Sequence, residues 1–145
     1  LGSALDHVAF RGEGSCGVVV PRKGRALRCG FALRLAPHRG RSLAVAAAQS
    51  LTEKGRGIRV VSMPCAERFV AQDVSYRESV LPSDVLARVA VEAAHADYWF
   101  KFVGLDGRVV GMQSFGESAP GGELMAHFGF TVENVIAAVE DVFLD

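Results

Sequence analysis

Glu117 and Ser118 set a carboxylate beside a hydroxyl in "SFGESAPGGELMAHFGFTVENV", residues 114–135. Such a pair could serve nucleophilic or general acid–base chemistry. A serine nucleophile needs an adjacent base, and no His stands next to either residue in the local sequence. Every polar and bending residue here also has a structural use. Ser118 can accept a hydrogen bond from an orphan N–H and so cap a short helix. Pro120 suits a first helical turn, where no N–H partner is needed. Gly129 can end that helix in a left-handed conformation. Thr131 then caps a second helix, with Phe130 stapled onto Val135. Each cap contributes roughly 1 kcal/mol. The sequence therefore assigns the stretch to shaping the backbone rather than to catalysis.

The other chemistry-bearing residues are weighed in the same way. Gly12-Glu13-Gly14-Ser15-Cys16-Gly17 fits G-x-G-x-x-G. A dinucleotide site needs a helix directly after the glycines, and Val18-Val19-Val20-Pro21 is no helix start. No acidic residue follows at the expected distance, so the match is set aside. His7, His38, His95 and His127 are dispersed, without metal-ligand spacing. Surface or structural roles are expected for them, with a general-base or metal role the alternative. Cys16, Cys29 and Cys65 form no C-x-x-C pair, so neither a zinc site nor a disulfide framework is indicated. Cys65 follows a buried-looking strand and reads as a packed thiol, since no nearby cation or His lowers its pKa. Tyr98, Trp99, Phe100 and Phe102 cluster aromatics. Strand-like alternation would put Trp99 on one face and Phe100 and Phe102 on the other, in a core or subunit interface. No residue is assigned a catalytic, cofactor-binding or metal-binding role.

The elements around these residues become regular only after Ser42. "SLAVAAAQSLTEKG" spaces Leu43, Ala47 and Leu51 by four and ends at Gly55, which predicts a helix. "GIRVVSMP" is a β-branched run closed by Pro64 and reads as a buried strand. "AERFVAQD" has helical residues but is short, and "YRESVLP" ends in a turn at Pro82. "ARVAVEAA" is a strand candidate with Val89 and Val91 alternating against Arg88, Ala90 and Glu92. "YWFKFVGLDGRVVGMQSFG" divides at Asp106-Gly107, a strong turn dipeptide, and reads as strand, turn, strand. "TVENVIAAVEDVFLD" is the clearest helix, with Val132, Val135, Ile136, Val139, Val142 and Phe143 on one face.

At 145 residues the chain fits one domain with a real core, and 50% apolar with 22% charged residues reads as a soluble globular composition. No apolar run approaches the ~20 residues that span a bilayer. The start shows no basic-then-apolar leader, and Leu1 in place of Met suggests that the natural start lies upstream. The net charge of zero conceals a split. Residues 1–42 carry eight Lys and Arg against Asp6 and Glu13, a surplus of +6, and residues 43–145 carry the balancing −6. A basic N-terminal segment can mark a nucleic-acid contact. This one has no Lys/Arg block and only Phe10 and Phe31 as aromatics, so nucleic acid is not expected as a partner.

The wording of residues 43–145 says more than their patterning. "RVVSMPC", "YRESVLP", "ARVAVEAA", "ADYWFKFVGLDG" and "FGESAPGGELMAHFGFTVENV" resemble, in order and spacing, the C-terminal (third) domain of transketolase. The resemblance implies an α/β fold, a three-layer domain with a mostly parallel, about five-stranded mixed sheet. It also implies an enzyme of the pentose phosphate pathway, and the lack of a disulfide framework among the cysteines makes a reducing, cytoplasmic setting the default. Transketolases transfer a two-carbon ketol unit between sugar phosphates with thiamine diphosphate and magnesium. In that family the cofactor lies between the first two domains of two subunits. Those domains supply the metal motif and the activating glutamate, and neither is in this sequence. Gly104-Leu105-Asp106-Gly107 is only superficially similar to the family's Gly-Asp-Gly metal motif, because the order is wrong and the downstream Asn is absent. A turn between strands is the expected role.

The expectation is therefore a transketolase fragment with a structural and assembly role, inactive alone, and no cofactor of its own. Its partners would be the missing catalytic domains or a companion subunit, with a homodimer also open and no membrane contact. Two departures stand out. Ala66 replaces a Trp common in the family after "MPC" or "MPS". Residues 35–42, "LAPHRGRS", replace a Thr-Gly-Ser-Glu-Val-type turn. Residues 1–42 are thus a basic segment without family match. Their arginine, glycine and cysteine excess suggests a degenerate or frame-shifted stretch, which would deprive the sheet of its proper first strand. One short exception is 31–35, which could be a strand. The alternative functions are a stand-alone binding module that uses the basic arm, and one subunit of a split transketolase.

Overall fold

The computed structural model describes residues 15–19, 28–35, 40–63, 65–114, 116–118 and 120–144, with side chains from Ser42 on. Strands β1 (Ser15–Val19), β2 (Arg28–Leu35), β3 (Gly57–Ser62), β4 (Arg88–His95) and β5 (Arg108–Met112) form one mixed sheet. β2 lies between β3 and β4 and runs parallel to both, pairing Cys29 with Ile58 and Ala32 with Ala90. β5 continues the parallel set beyond β4. β1 runs antiparallel, pairing Ser15 with Leu35 and Gly17 with Ser62. The expected class, a mostly parallel sheet of about five strands, is what is found. The segment 31–35 does belong to a strand, β2, which occupies the slot between β3 and β4.

Helices α1 (Gly40–Glu53) and α6 (Val132–Val142) cover one face of the sheet. Helices α2 (Ala66–Val70), α3 (Val74–Val80) and α4 (Phe100–Val103) cover the other. Side-chain parity on the strands divides the core accordingly. Ile58, Val89 and Val91 join α1 and α6, whereas Val61, Met63 and Ala90 join α2, α3 and α4. The strand expected in "ARVAVEAA" is β4, and Val89, Ala90, Val91 and even Glu92, 4% exposed, are all buried in it. A parallel sheet is covered on both faces, so alternation sorts residues between two cores rather than between core and water. Among the described residues no helix is long and apolar enough to cross a membrane.

α6 follows its sequence signal closely. Thr131 Oγ1 accepts from the Asn134 N–H at 3.2 Å, and Phe130 sits at the staple position in the same core cluster as Val135. Val135, Val139 and Val142 are buried, each contributing about 1.5–3 kcal/mol. The short helix before it, α5 (Gly121–His127), ends as expected at Gly129, whose φ is +76°. The Phe130 N–H reaches the Met125 carbonyl at 2.7 Å and the Gly129 N–H reaches Ala126 at 3.0 Å, which closes the helix in a Schellman motif. Its start differs from expectation. Pro120 is itself the N-cap, with no side-chain cap bond, and Ser118 stands two residues earlier, exposed. With its fixed φ and extended ψ of 131°, Pro120 starts the helix too late for the Ser118 hydroxyl to cap it.

The second difference is larger. Residues 98–103 are not a strand. Ala96–Trp99 is a 3-10 turn that runs into α4. β4 and β5 are parallel, so a hairpin cannot join them and the link must cross back over the sheet. Trp99, Phe102 and Val103 have helical spacing and are buried together, while Phe100 is largely exposed. The Leu105–Asp106 turn thus connects a helix to a strand. Gly107 follows it at a close approach of backbones. A Cβ there would lie 2.5 Å from Val103 Cβ and 2.8 Å from the Arg88 carbonyl oxygen.

Candidate functional site

α3 owes its position to both its ends. Asp73 has extended backbone, and its Oδ1 accepts from the Tyr76 N–H at 2.8 Å, which starts the helix. After Val80 the chain turns at Pro82, leaving several carbonyls without helical partners. Two guanidinium groups from the sheet meet them. Arg59 of β3 donates to the Val80 carbonyl at 2.9 Å. Arg88 of β4 donates through Nε to Val85 and through Nη2 to Pro82, each at 2.7 Å. Its Nη1 reaches the Phe102 carbonyl, also at 2.7 Å. Arg88 therefore ties the α3–β4 loop to the end of α4. Burial lowers its pKa, and the Glu78 carboxylate opposes that shift. A guanidinium starts so high that it stays cationic at neutral pH.

Beside this tie lies an open cleft of about 340 Å³. Phe69 and Phe102 form its apolar wall, their ring centroids 6.2 Å apart, and Phe102 leans on Trp99 at 5.4 Å. Three cations border it, Arg77, Arg88 and Lys101, against the single carboxylate of Glu78. That carboxylate accepts from the Ser83 N–H at 2.9 Å. Lys101 Nζ lies 3.7 Å above the Tyr98 ring and 4.9 Å from that of Phe102. Arg77 has a buried Nε with no hydrogen-bond partner. The cleft collects positive charge and apolar surface, with Glu78 and Ser83 as its other polar lining residues.

Of the residues singled out from sequence, Phe102 of the aromatic cluster lines the cleft, whereas His95, His127, Cys65, Glu117 and Ser118 do not. The structure does bring a base toward Glu117, which the local sequence did not show: His127 Nε2 lies 3.9 Å from Glu117 Oε1, at the far end of α5. Both side chains are more than half exposed, and the distance exceeds a hydrogen bond. His127 also packs edge-on against Phe128. His95 ends β4, its Nδ1 3.6 Å from Asp97 Oδ2, again at the surface. Cys65 is partly exposed rather than packed, 3.6 Å from Glu67 Oε2, and Glu67 Oε1 accepts from the Tyr98 hydroxyl at 2.8 Å. Ser15, Cys16 and Gly17 lie in β1, so no helix N-terminus follows the G-x-G-x-x-G run, whose residues 12–14 fall outside the described residues. His7 and His38 also fall outside them, as do the side chains of Cys16 and Cys29. Among the described residues no three His, Cys, Asp or Glu side chains converge on a point that could hold a metal ion.

Arg77, Arg88 and Lys101 were not singled out from sequence. Arg77 stood inside "YRESVLP" and Lys101 inside the aromatic cluster, but their separation along the chain forms no motif. Only the crossover helix, misread as a strand, brings Lys101 to α3.

Comparison with known proteins places this architecture. Residues 41–131 match the family described as the transketolase-like TK C-terminal domain. Transketolase 1 of Vibrio vulnificus (strain YJ016) is 58% identical over 100 residues, covering 69% of this chain and 15% of that protein. Transketolase 1 of Escherichia coli (strain K12) is 59% identical over the same length, with the same coverage. A transketolase structure from Campylobacter jejuni superposes with a TM-score of 0.54 at 35% identity, over 66% of this chain and 14% of that one. A transketolase mutant structure from Pichia stipitis gives 0.59 at 32% identity, over 70% and 14%. The chain thus spans about 15% of the length of the curated relatives it matches.

Proposed function

Because the chain belongs to the transketolase-like C-terminal domain family, we propose that it acts as the third domain of a transketolase, a structural and assembly unit that carries out no ketol transfer alone. The supporting observation is the match itself. It is close over 100 residues and covers only 15% of proteins named as transketolases. In such an enzyme, thiamine diphosphate with magnesium would supply the chemistry that cleaves and remakes the carbon–carbon bond. Among the described residues no three His, Cys, Asp or Glu side chains meet where a metal ion could sit, and no residue of this chain is assigned to holding that group. No step of the reaction is therefore assigned to this chain. Its role is to present a stable three-layer body to the catalytic domains, in the cytoplasm and in a dimer.

The test is an assay of ketol transfer by the purified chain with thiamine diphosphate and magnesium, alone and with the two missing domains supplied as a separate polypeptide. The expected result is no turnover alone. Turnover by the chain alone would refute the proposal. A companion chain that restores activity would identify this as one subunit of a split enzyme. The binding-module alternative, with a free basic arm, is less well supported, because 15–19 and 28–35 are strands within the sheet.

A further inference from the structure

We propose that the cleft between α2, α3 and α4 is a binding site for a small phosphate monoester, independent of any ketol transfer. Charge is the first argument. Arg77, Arg88 and Lys101 border the cleft and Glu78 is the one carboxylate among its lining residues, so the local excess is two positive charges. A phosphate monoester near neutral pH carries about that charge with the opposite sign.

The second argument is how little holds those cations. Arg88 is committed to carbonyl oxygens by three bonds of 2.7 Å and is the fixed floor of the site. Arg77 has no acidic partner among the described residues, and its buried Nε meets no acceptor. Lys101 rests on the Tyr98 and Phe102 rings and likewise has no carboxylate among the described residues. Most surface cations can turn toward water. Here a guanidinium is partly withdrawn from it without a counter-charge, which costs free energy that an incoming oxyanion would recover. Lys101 is oriented by the rings beneath it, so less side-chain freedom is lost on binding.

The third argument is the wall. Phe69 and Phe102 give an apolar surface beside the cations, and Val74 at the rim is 64% exposed. A cleft of about 340 Å³ lies at the lower end of the size of small-molecule sites, roughly 300–1,000 Å³. It would admit a phosphate with a short organic tail lying on the aromatic rings. Ser83 is also on the lining and offers a hydroxyl to a second oxygen.

The experiment is calorimetric and NMR titration of the whole purified chain with inorganic phosphate, glycerol 3-phosphate and acetate. Saturable binding of glycerol 3-phosphate at about 1 mM or tighter is expected. Acetate should bind at least about tenfold more weakly, since it carries one charge and no third oxygen. Inorganic phosphate binding as tightly as glycerol 3-phosphate would assign the site to the free ion, and weaker binding would assign it to the ester with its tail on Phe69. Arg77→Gln should weaken binding about tenfold and Lys101→Gln about threefold, while Lys54→Gln on the opposite helical layer should leave it unchanged. Arg77→Lys, which keeps the charge, should fall between, and it serves if the glutamine variant does not fold. Absence of saturation, or equal loss in Lys54→Gln and Arg77→Gln, would overturn the assignment. Either failure leaves the assembly role untouched, since that role is read from enzyme turnover.

Discussion

Replacing Arg88 by Met should cost this chain about 3 kcal/mol of stability. The side chain makes three hydrogen bonds of 2.7 Å to the carbonyls of Val85, Pro82 and Phe102. A bond from a charged donor contributes about 1.5–3 kcal/mol. Two effects reduce the sum. Withdrawing the guanidinium from water has a cost, visible in the downward push on its pKa. The carbonyls also lie in a partly open region, where water can take over some of the acceptor demand. About half of the gross value survives, which for a chain of this size lowers Tm by roughly 6–12 °C. Methionine fills the volume of the stem but supplies no donor, so it isolates the polar loss; the Pro82 carbonyl keeps the Val85 N–H at 3.1 Å, while those of Val85 and Phe102 lose the guanidinium. Arg88→Lys retains the charge and can reach one carbonyl, and should cost about half as much. Urea unfolding followed by Trp99 fluorescence measures both, because Trp99 is the single tryptophan and only 2% exposed. A loss below about 0.5 kcal/mol in Arg88→Met, at an unchanged urea slope, would show that Arg88 does not fasten the loop to α4.

Two further substitutions test the corrected elements. Gly107→Ala should destabilise by about 2 kcal/mol in the same urea assay, because its Cβ would meet Val103 Cβ at 2.5 Å and two backbone oxygens below 3 Å; a neutral result would mean that the α4–β5 junction is looser than described. Thr131→Ala should cost about 1 kcal/mol and Ser118→Ala less than about 0.5, since Thr131 caps α6 and Ser118 caps no helix. Equal losses by thermal melting would contradict that assignment.

What the sequence conveyed depended on how local the cause was. α1 and α6 were legible because their signals are local: the spacing of both, the closing Gly55 of α1 and the Thr131 cap of α6. Gly129 was legible for the same reason, since a left-handed closure leaves a residue-type signature. The crossover at 96–103 was not, because aromatic and β-branched runs fit a short strand as well as a short helix. What decided it was the parallel pairing of β4 with β5, a relation between distant segments. The start of α5 shows a smaller case. A serine three residues ahead of a helix looks like a cap, and only the backbone of Pro120 shows that the helix begins past it. The cationic cleft was invisible for the deeper reason that its members come from α3, β4 and α4. Each is unremarkable in its own segment. Their meeting depends on the layer order of the whole domain, for which the family resemblance, not the periodicity, gave the first indication.

The order of strands in the sheet also sets a schedule for making the protein. Arg28–Leu35 is synthesised before either of its flanking neighbours, Gly57–Ser62 and Arg88–His95. At about 5–20 residues per second, this largely apolar segment waits on the order of seconds for its slot to exist. During that interval only Ser15–Val19, made just before it, is available to pair with it, so the parallel partners of the sheet's central strand are the last to arrive.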